Sequence, residues 1–350
     1  MLIGAHISIP SLVRIKVGAS DRIGLYLARE NLSRAVLLSS RDLDASLISR
    51  VQTSLAEQNI TLLQHVNIDV ASFEQATEIF AALPANCQAI IGLGGGKALD
   101  TAKYVAFLAK IPYYAMPTSL SNDGFCSPQS SLTLAGKRKS LACAIPFAVI
   151  IDTEVCLHAP DILWWSGIGD LVSKVTAIAD WKLAFHAQGT TVNDFAALLS
   201  DATVLQFMAR PVRDLEGISS LGTALMLNGI AMEISGSSRP ASGSEHLISH
   251  ALDRISARPR LHGLQVGVAT YLVSILQNQG TERIADVLDE TGFWQGIEAD
   301  PFSRLEWLRA VEIAPTIKDD YYTVLKSRDC LPEVEQLLHT DPRLVRCFVD

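Results

Sequence analysis

The 350-residue chain is poor in charge, with 19% Lys, Arg, Asp and Glu, and has no excess of positive residues. Its 29 basic and 37 acidic residues leave a net charge of −8. That argues against a nucleic-acid binder, because such affinity rests on Lys and Arg neutralising phosphates. Long apolar runs are missing. Tyr104–Met116 and Leu141–Ile151 are the most apolar stretches, and both fall short of the roughly 18 residues that cross a bilayer. No membrane span is therefore expected. Met1–His6 has no basic residue and the first is Arg14, unlike the start of a secretory leader. Paired cysteines are also absent. Cys87, Cys126, Cys143, Cys156, Cys330 and Cys347 are scattered without a CxxC spacing, so reduced packing thiols in a cytoplasmic protein are the expectation.

Apolar residues make up 49% of the chain, enough for a sizeable core, and at about 150 residues per domain the length suggests two domains. Up to about residue 150, short apolar runs alternate with helix-period segments. Ala35–Ser39, Thr61–Val66, Ala89–Leu93, Pro112–Met116 and Ala148–Ile151 read as strands. Ala45–Gln58, Phe73–Leu83 and Lys97–Ala109 read as helices between them. After Asp152 the pattern turns helical, through Gly167–Ala184, Thr191–Ala209, Leu215–Ser235, Ser244–Ser256 and Gly263–Asn278. The expected architecture is a Rossmann-like α/β N-terminal domain over residues 1–155 and an all-α C-terminal domain over 156–350.

Ile90–Asp100 runs strand, glycine turn, helix, with Gly94, Gly95, Gly96 and Lys97 at the turn. Glycines admit a diphosphate close to the backbone, and the helix N-terminus offers free N–H groups. The spacing is neither GxGxxG nor a Walker lysine motif. A second loop, Met116–Pro128, crowds hydroxyls, an amide and a carboxylate behind the next strand, where open α/β sheets bind ligands.

The second half carries Gly167-Ile168-Gly169-Asp170, read as a helix start with Asp170 in its first turn. Three of the eight histidines, His246, His250 and His262, fall within seventeen residues, the first two four apart on one helix face. One Asp with two of these His on separate helices suits a catalytic metal site, where three protein ligands leave a position open.

GGGKALDTAK, MPTSLSNDGFCSP, GIGDLVSKVTAIADWKLA, GSSRPASGSEHLISHALD and HGLQVGV together resemble the sn-glycerol-1-phosphate dehydrogenases. These belong to the superfamily of metal-dependent polyol dehydrogenases and dehydroquinate synthase-like enzymes. The resemblance covers roughly Ala35 to Gly267, and more weakly Ile317-Lys318-Asp319. It implies a homo-oligomeric oxidoreductase that interconverts dihydroxyacetone phosphate and sn-glycerol 1-phosphate with NAD or NADP. It assigns Zn2+, or another divalent metal such as Fe2+ or Ni2+, to Asp170, His246 and His262. The diphosphate would meet Gly95, Gly96 and Lys97, in the motif that also contains Gly94 and Asp100. Thr118, Ser119, Ser121 and Ser127 would line the nicotinamide half, and Asp123, Asp170 and His250 would face the substrate. Asn122 departs from the family pattern, which often has His there.

His250, one turn from a ligand, is the best-placed proton relay. A phosphorylated substrate needs further donors. Arg239, in a Gly/Ser/Pro turn seven residues before His246, is the first candidate and Lys137-Arg138-Lys139 the second. Arg41 and Asp42 follow the strand candidate Ala35–Ser39, so both a 2′-phosphate reader and a ribose acceptor are present. Three alternatives stand beside this reading: an unphosphorylated polyol dehydrogenase, an NAD-dependent sugar-phosphate cyclase and a non-enzymatic binding protein. The cyclases carry a Lys where Ser173 stands.

Overall fold

The computed structural model describes residues 7–350, and the Met1–His6 opening lies outside them. The chain forms two compact units. One comprises the described part of Met1–Leu120, with Gly124–Ala159 and Asp214–Glu233; the other comprises Ser121–Asp123, Pro160–Arg213 and Ile234–Asp350.

The first unit is built on strands β1 (Leu12–Lys16), β2 (Arg34–Ser40), β3 (Thr61–Ile68), β4 (Ala89–Gly94), β5 (Tyr113–Pro117) and β8 (Ala148–Asp152). A hairpin of β6 (Gln129–Leu134) and β7 (Lys137–Ala142) lies between β5 and β8 in sequence. The six-stranded sheet has the order β1-β8-β5-β4-β2-β3, and every pairing is parallel. Parallel strands need crossovers, and α1 (Ile23–Arg29), α2 (Ala45–Glu57), α3 (Phe73–Ala81) and α4 (Gly96–Ala109) supply four of them, while the hairpin lies in the β5-to-β8 connection and α5 (Thr153–Leu157) follows β8. Local signals explain the boundaries. The Asp44 carboxylate caps α2 through the Ser46 N–H, and the Ser72 hydroxyl caps α3 through Gln75. Alternate β2 residues serve opposite faces: Ala35 and Leu37 pack with Val51 and Leu55, whereas Val36 and Leu38 pack with Ala102 and Val105. All six residues of β4 are buried, which is why it reads as one continuous apolar run.

The remaining helices are α6 (Asp161–Gln188), α7 (Asp194–Met208), α8 (Leu215–Ser235), α9 (Ser244–Ile255), α10 (His262–Gln277), α11 (Thr281–Glu290), α12 (Phe293–Glu298), α13 (Arg304–Ile313), α14 (Val324–Ser327) and α15 (Leu331–Thr340). The second unit is helical apart from a two-residue parallel pairing of Phe302–Ser303 with Phe348–Val349. Most of α8 belongs to the sheet unit, where Gly222 lies against Ile151 of β8. Among the described residues α8 is the one helix long and apolar enough to cross a membrane, and 61% of that stretch is buried within the fold. Its burial marks it as a core helix.

The α/β-then-α expectation therefore holds. The hydrophobic pattern passed over β1, which carries Arg14 and Lys16, and the hairpin. Lys137, Arg138 and Lys139 are exposed on β7, and the Arg138 guanidinium bonds the Ser131 hydroxyl across the hairpin.

Candidate metal and nucleotide sites

Asp170 does not open a helix. Helix α6 begins nine residues earlier, at Asp161 behind Pro160, so Asp170 sits in its third turn. The glycines read as a helix start have a different cause. A Cβ on Gly169 would lie 2.0 Å from the Gly263 carbonyl oxygen, and one on Gly263 would lie 1.7 Å from that of Ser166. Both positions must be glycine for α6 and α10 to cross this closely. The crossing brings Asp170 beside His262, the first residue of α10.

His246, from α9, completes the group. The ligand atoms of Asp170, His246 and His262 all lie within 4.8 Å of one another. The Asp170 Oδ1 atom is 3.5 Å from His246 Nε2 and 3.8 Å from His262 Nε2. Metal–ligand bonds of about 2.1 Å at a tetrahedral centre put donor atoms roughly 3.4 Å apart, so the spacing suits a divalent cation. Asp170 Oδ1 is buried and accepts no hydrogen bond, as expected of an oxygen kept for a metal. The outer ring nitrogens are held: His246 Nδ1 lies 2.9 Å from Glu245 Oε1, and His262 Nδ1 lies 3.1 Å from the Ser249 hydroxyl. Such partners leave Nε2 as the ligating atom. His250 is close by, its ring stacked 5.9 Å from that of His262.

Lys174, one turn below Asp170, escaped the sequence reading. It is fully buried, 3.0 Å from Asp123 Oδ2 and 3.4 Å from Asp170 Oδ1. The Asp123 N–H donates to Asp170 Oδ2 at 2.9 Å. Burial alone would raise the Asp170 carboxyl, but the Lys174 ammonium and His246 outweigh it and hold the group well below the usual range. Asp123 is raised, by burial and then by the Asp170 charge. Lys174 is raised because the two carboxylates overcome its desolvation. A cue was available: a lysine four residues after an aspartate, on a helix otherwise apolar around it. Ser173 donates to the Asp170 carbonyl, and the buried lysine stands one position later.

A second carboxylate anchors α9. Asp180 accepts the Ser244 N–H at 2.7 Å and the Val324 N–H at 2.8 Å. Burial and the Glu245 charge push it up to about 6. The Arg239 guanidinium, on the loop leading into α9, lies over the Tyr321 ring with its carbon 3.7 Å from the centroid, and donates to the Tyr322 carbonyl.

The glycine turn in the other unit also fits its expected ligand. Gly94 has φ +136°, and a Cβ there would lie 2.2 Å from the Ser40 hydroxyl oxygen, so the fold itself requires glycine. A Cβ on Gly95 or Gly96 would meet nothing within 4 Å. That open space faces the start of α4, which has no side-chain cap and no acidic residue in its first turn. An uncapped N-terminus beside unfilled space suits a diphosphate. Lys97 and Asp42 are exposed. Asp100 has protein partners, Lys103 at 3.4 Å and the Ser131 N–H. The Ser127 hydroxyl is spent on the Gly124 and Gln129 carbonyls. Thr118 bonds the Gly94 carbonyl through its backbone, Ser119 is buried, and Ser121 accepts from Ser166 through its own carbonyl.

Residues 14–160 match the family model described as iron-containing alcohol dehydrogenase. Solved structures with this fold include glycerol dehydrogenase from Schizosaccharomyces pombe, with TM-score 0.73, 20% identity and coverage of 94% of this chain and 90% of that one. An iron-containing alcohol dehydrogenase from Thermotoga maritima gives a TM-score of 0.67 at 16% identity, covering 95% and 98%. The fold is that of the iron-containing alcohol dehydrogenases.

Sequence relatives narrow this. The glycerol-1-phosphate dehydrogenase [NAD(P)+] of Metallosphaera sedula is 33% identical over 328 residues, covering 92% of this chain and 93% of its own. That of Aeropyrum pernix is 33% identical over 345 residues, covering 95% and 96%. That of Methanococcoides burtonii is 36% identical over 281 residues, covering 79% and 78%. The chain belongs to the glycerol-1-phosphate dehydrogenase family.

Proposed function

We propose that the chain is an NAD(P)-linked oxidoreductase interconverting dihydroxyacetone phosphate and sn-glycerol 1-phosphate. The observation that carries this, in a member of this family, is the Asp170/His246/His262 group with its unbonded, buried carboxylate oxygen. These three residues would hold a divalent cation, zinc in our reading, with Fe2+ or Ni2+ as the other choices. When bound, the cation supplies Lewis acidity at the substrate's C2 oxygen. The nicotinamide, when bound, supplies or takes the hydride at its C4.

The chain's own residues do the rest. His250 holds or accepts the proton of the C2 hydroxyl at a ring nitrogen, because its ring stacks on that of His262 and imidazole can both give and take a proton. Asp123, oriented by Lys174, accepts a substrate hydroxyl. Gly95, Gly96 and Lys97 take the diphosphate, with Thr118, Ser119 and Ser121 toward the nicotinamide. Asp100 and Ser127, whose side chains have protein partners, support the elements that carry those residues. Asp42 accepts the adenosine ribose. The domain division at residues 155/156, a cytoplasmic location and homo-oligomerisation belong to the same reading. The free cysteines support the second, and the exposed Phe195, Leu198 and Leu205 of α7 support the third.

Oxidation of NADH and NADPH by the metal-loaded protein tests the proposal, with dihydroxyacetone phosphate and dihydroxyacetone compared as acceptors and glycerol assayed in the reverse direction with NAD+ and NADP+. Dihydroxyacetone phosphate should be the preferred acceptor. Preference for an unphosphorylated compound would indicate a plain polyol dehydrogenase. A turnover with no net change in NAD(P)H would indicate a cyclase.

A further inference from the structure

We infer that Arg239 and Lys318, which both lie over the Tyr321 ring, form an anion subsite for the phosphomonoester of the substrate. This deepens the preceding proposal and rests on its phosphorylated substrate. Arg239 is 5% exposed, and the Lys318 ammonium lies 4.4 Å from the Tyr321 centroid. Two cations sharing one ring repel each other, and a fold tolerates that when something else gains from it.

Their donors are mostly unspent. Of the five N–H groups a guanidinium carries, one from Arg239 reaches the Tyr322 carbonyl, at 2.7 Å. The Lys318 ammonium donates to the Ser238 hydroxyl at 3.1 Å. Among the described residues, neither cation has a carboxylate within ion-pair distance. The two acidic groups that act on them electrostatically are engaged elsewhere. Asp180 accepts the Ser244 and Val324 N–H groups, and Glu245 accepts from Gly243, Thr176 and His246. Burial and the Arg239 charge lower Lys318 to about 8, which marks a cation without a counter-charge.

A dianion supplies that counter-charge twice over. The forked guanidinium and the ammonium, with the hydroxyl of Ser238, the residue before Arg239, bonded to Lys318, offer the donors a phosphate's oxygens require. The subsite is tied to the metal group. Ser238 and Arg239 lie on the loop that runs into α9, and Glu245, which bonds His246, is felt by Lys318. The competing account is structural, with both cations serving only to pack Tyr321.

Two readings on wild type, Arg239→Met and Lys318→Met separate these accounts. The first is the ratio of kcat/KM for dihydroxyacetone phosphate to that for dihydroxyacetone, measured on metal-loaded protein. The second is the melting-temperature shift produced by inorganic phosphate alone. Each variant should lower the ratio about a hundredfold and shrink the phosphate shift, as loss of a charged hydrogen-bond partner does. A structural role would lower the melting temperature and both activities together, leaving the ratio intact, and that result overturns the subsite. So does a phosphate shift that persists undiminished in both variants. A wild-type ratio near one would instead sink the phosphorylated-substrate reading, and the phosphate shift then decides the subsite by itself.

Discussion

At the residue scale, Lys174 has the sharpest consequence. It is the counter-charge for two buried carboxylates, so Lys174→Met should cost the metal-free protein about 3–5 kcal/mol of stability. Adding a divalent cation should restore part of that loss. Urea denaturation with and without metal reads both quantities, and equal losses in the two states would show that the site holds no cation. Gly95 gives the converse case. Its Cβ would meet no protein atom, so Gly95→Ala should leave the denaturation midpoint unchanged or slightly raised. Nucleotide affinity by calorimetry should fall about tenfold, or about 1.4 kcal/mol. Unchanged affinity would make the turn merely structural. Lys318 adds a pH dependence. It faces Arg239 from the loop before α9, Glu245 from α9 and Tyr321 on its own segment, while Lys326 bonds its carbonyl. Its lowered value means that charge is lost as pH rises through about 8, so kcat/KM for dihydroxyacetone phosphate should fall there. Lys318→Arg should remove that fall. A flat wild-type profile to pH about 9 would mean that Lys318 does not read the phosphate. The Asp170/His246/His262 grouping was legible in the sequence because Asp and His advertise their chemistry and three histidines cluster. Lys174, Glu245 and Lys318 were not, because their roles arise from spatial neighbours that periodicity does not reveal.

Elements tell a similar story. Strands β2, β4, β5 and β8 and helices α2, α4, α8, α9 and α10 were legible nearly to the residue, since each buries a face or a whole run. The start of α6 was misread because Gly167 and Gly169 resemble a turn when the helix they approach is unknown. Edge strand β1 alternates apolar and basic residues and looks like a loop. The crossing of α6 and α10 can be tested directly. Gly263→Ala would drive a methyl into the Ser166 carbonyl, at 1.7 Å. It should cost about 3 kcal/mol or more and displace His262 from Asp170. Bound metal per chain should fall along with the denaturation midpoint. Full metal content would mean that the helices adjust without moving the ligands.

For the whole molecule, the proposed cation and the proposed oligomer interface are the two variables to test. Chelation should abolish activity and lower the melting temperature, by an amount corresponding to about 4 kcal/mol at a thousandfold excess of metal over Kd. Re-addition of zinc should reverse both, and full activity in a metal-free preparation would refute the site. Helix α7 exposes Phe195, Leu198 and Leu205 at 62%, 65% and 47%, so Leu198→Asp should shift a sedimenting oligomer toward monomer. A wild-type monomer at micromolar concentration would exclude that assembly. Asp180 carries a further consequence. One carboxylate anchors both the first turn of α9, which carries His246, and the chain just beyond Tyr321. Substitutions between residues 317 and 323 that aim to retrain the protein on a new acceptor would therefore disturb the ligand field as well. Laboratory evolution of specificity in this scaffold should proceed by coupled rather than independent steps, with metal retention screened alongside every gain in selectivity.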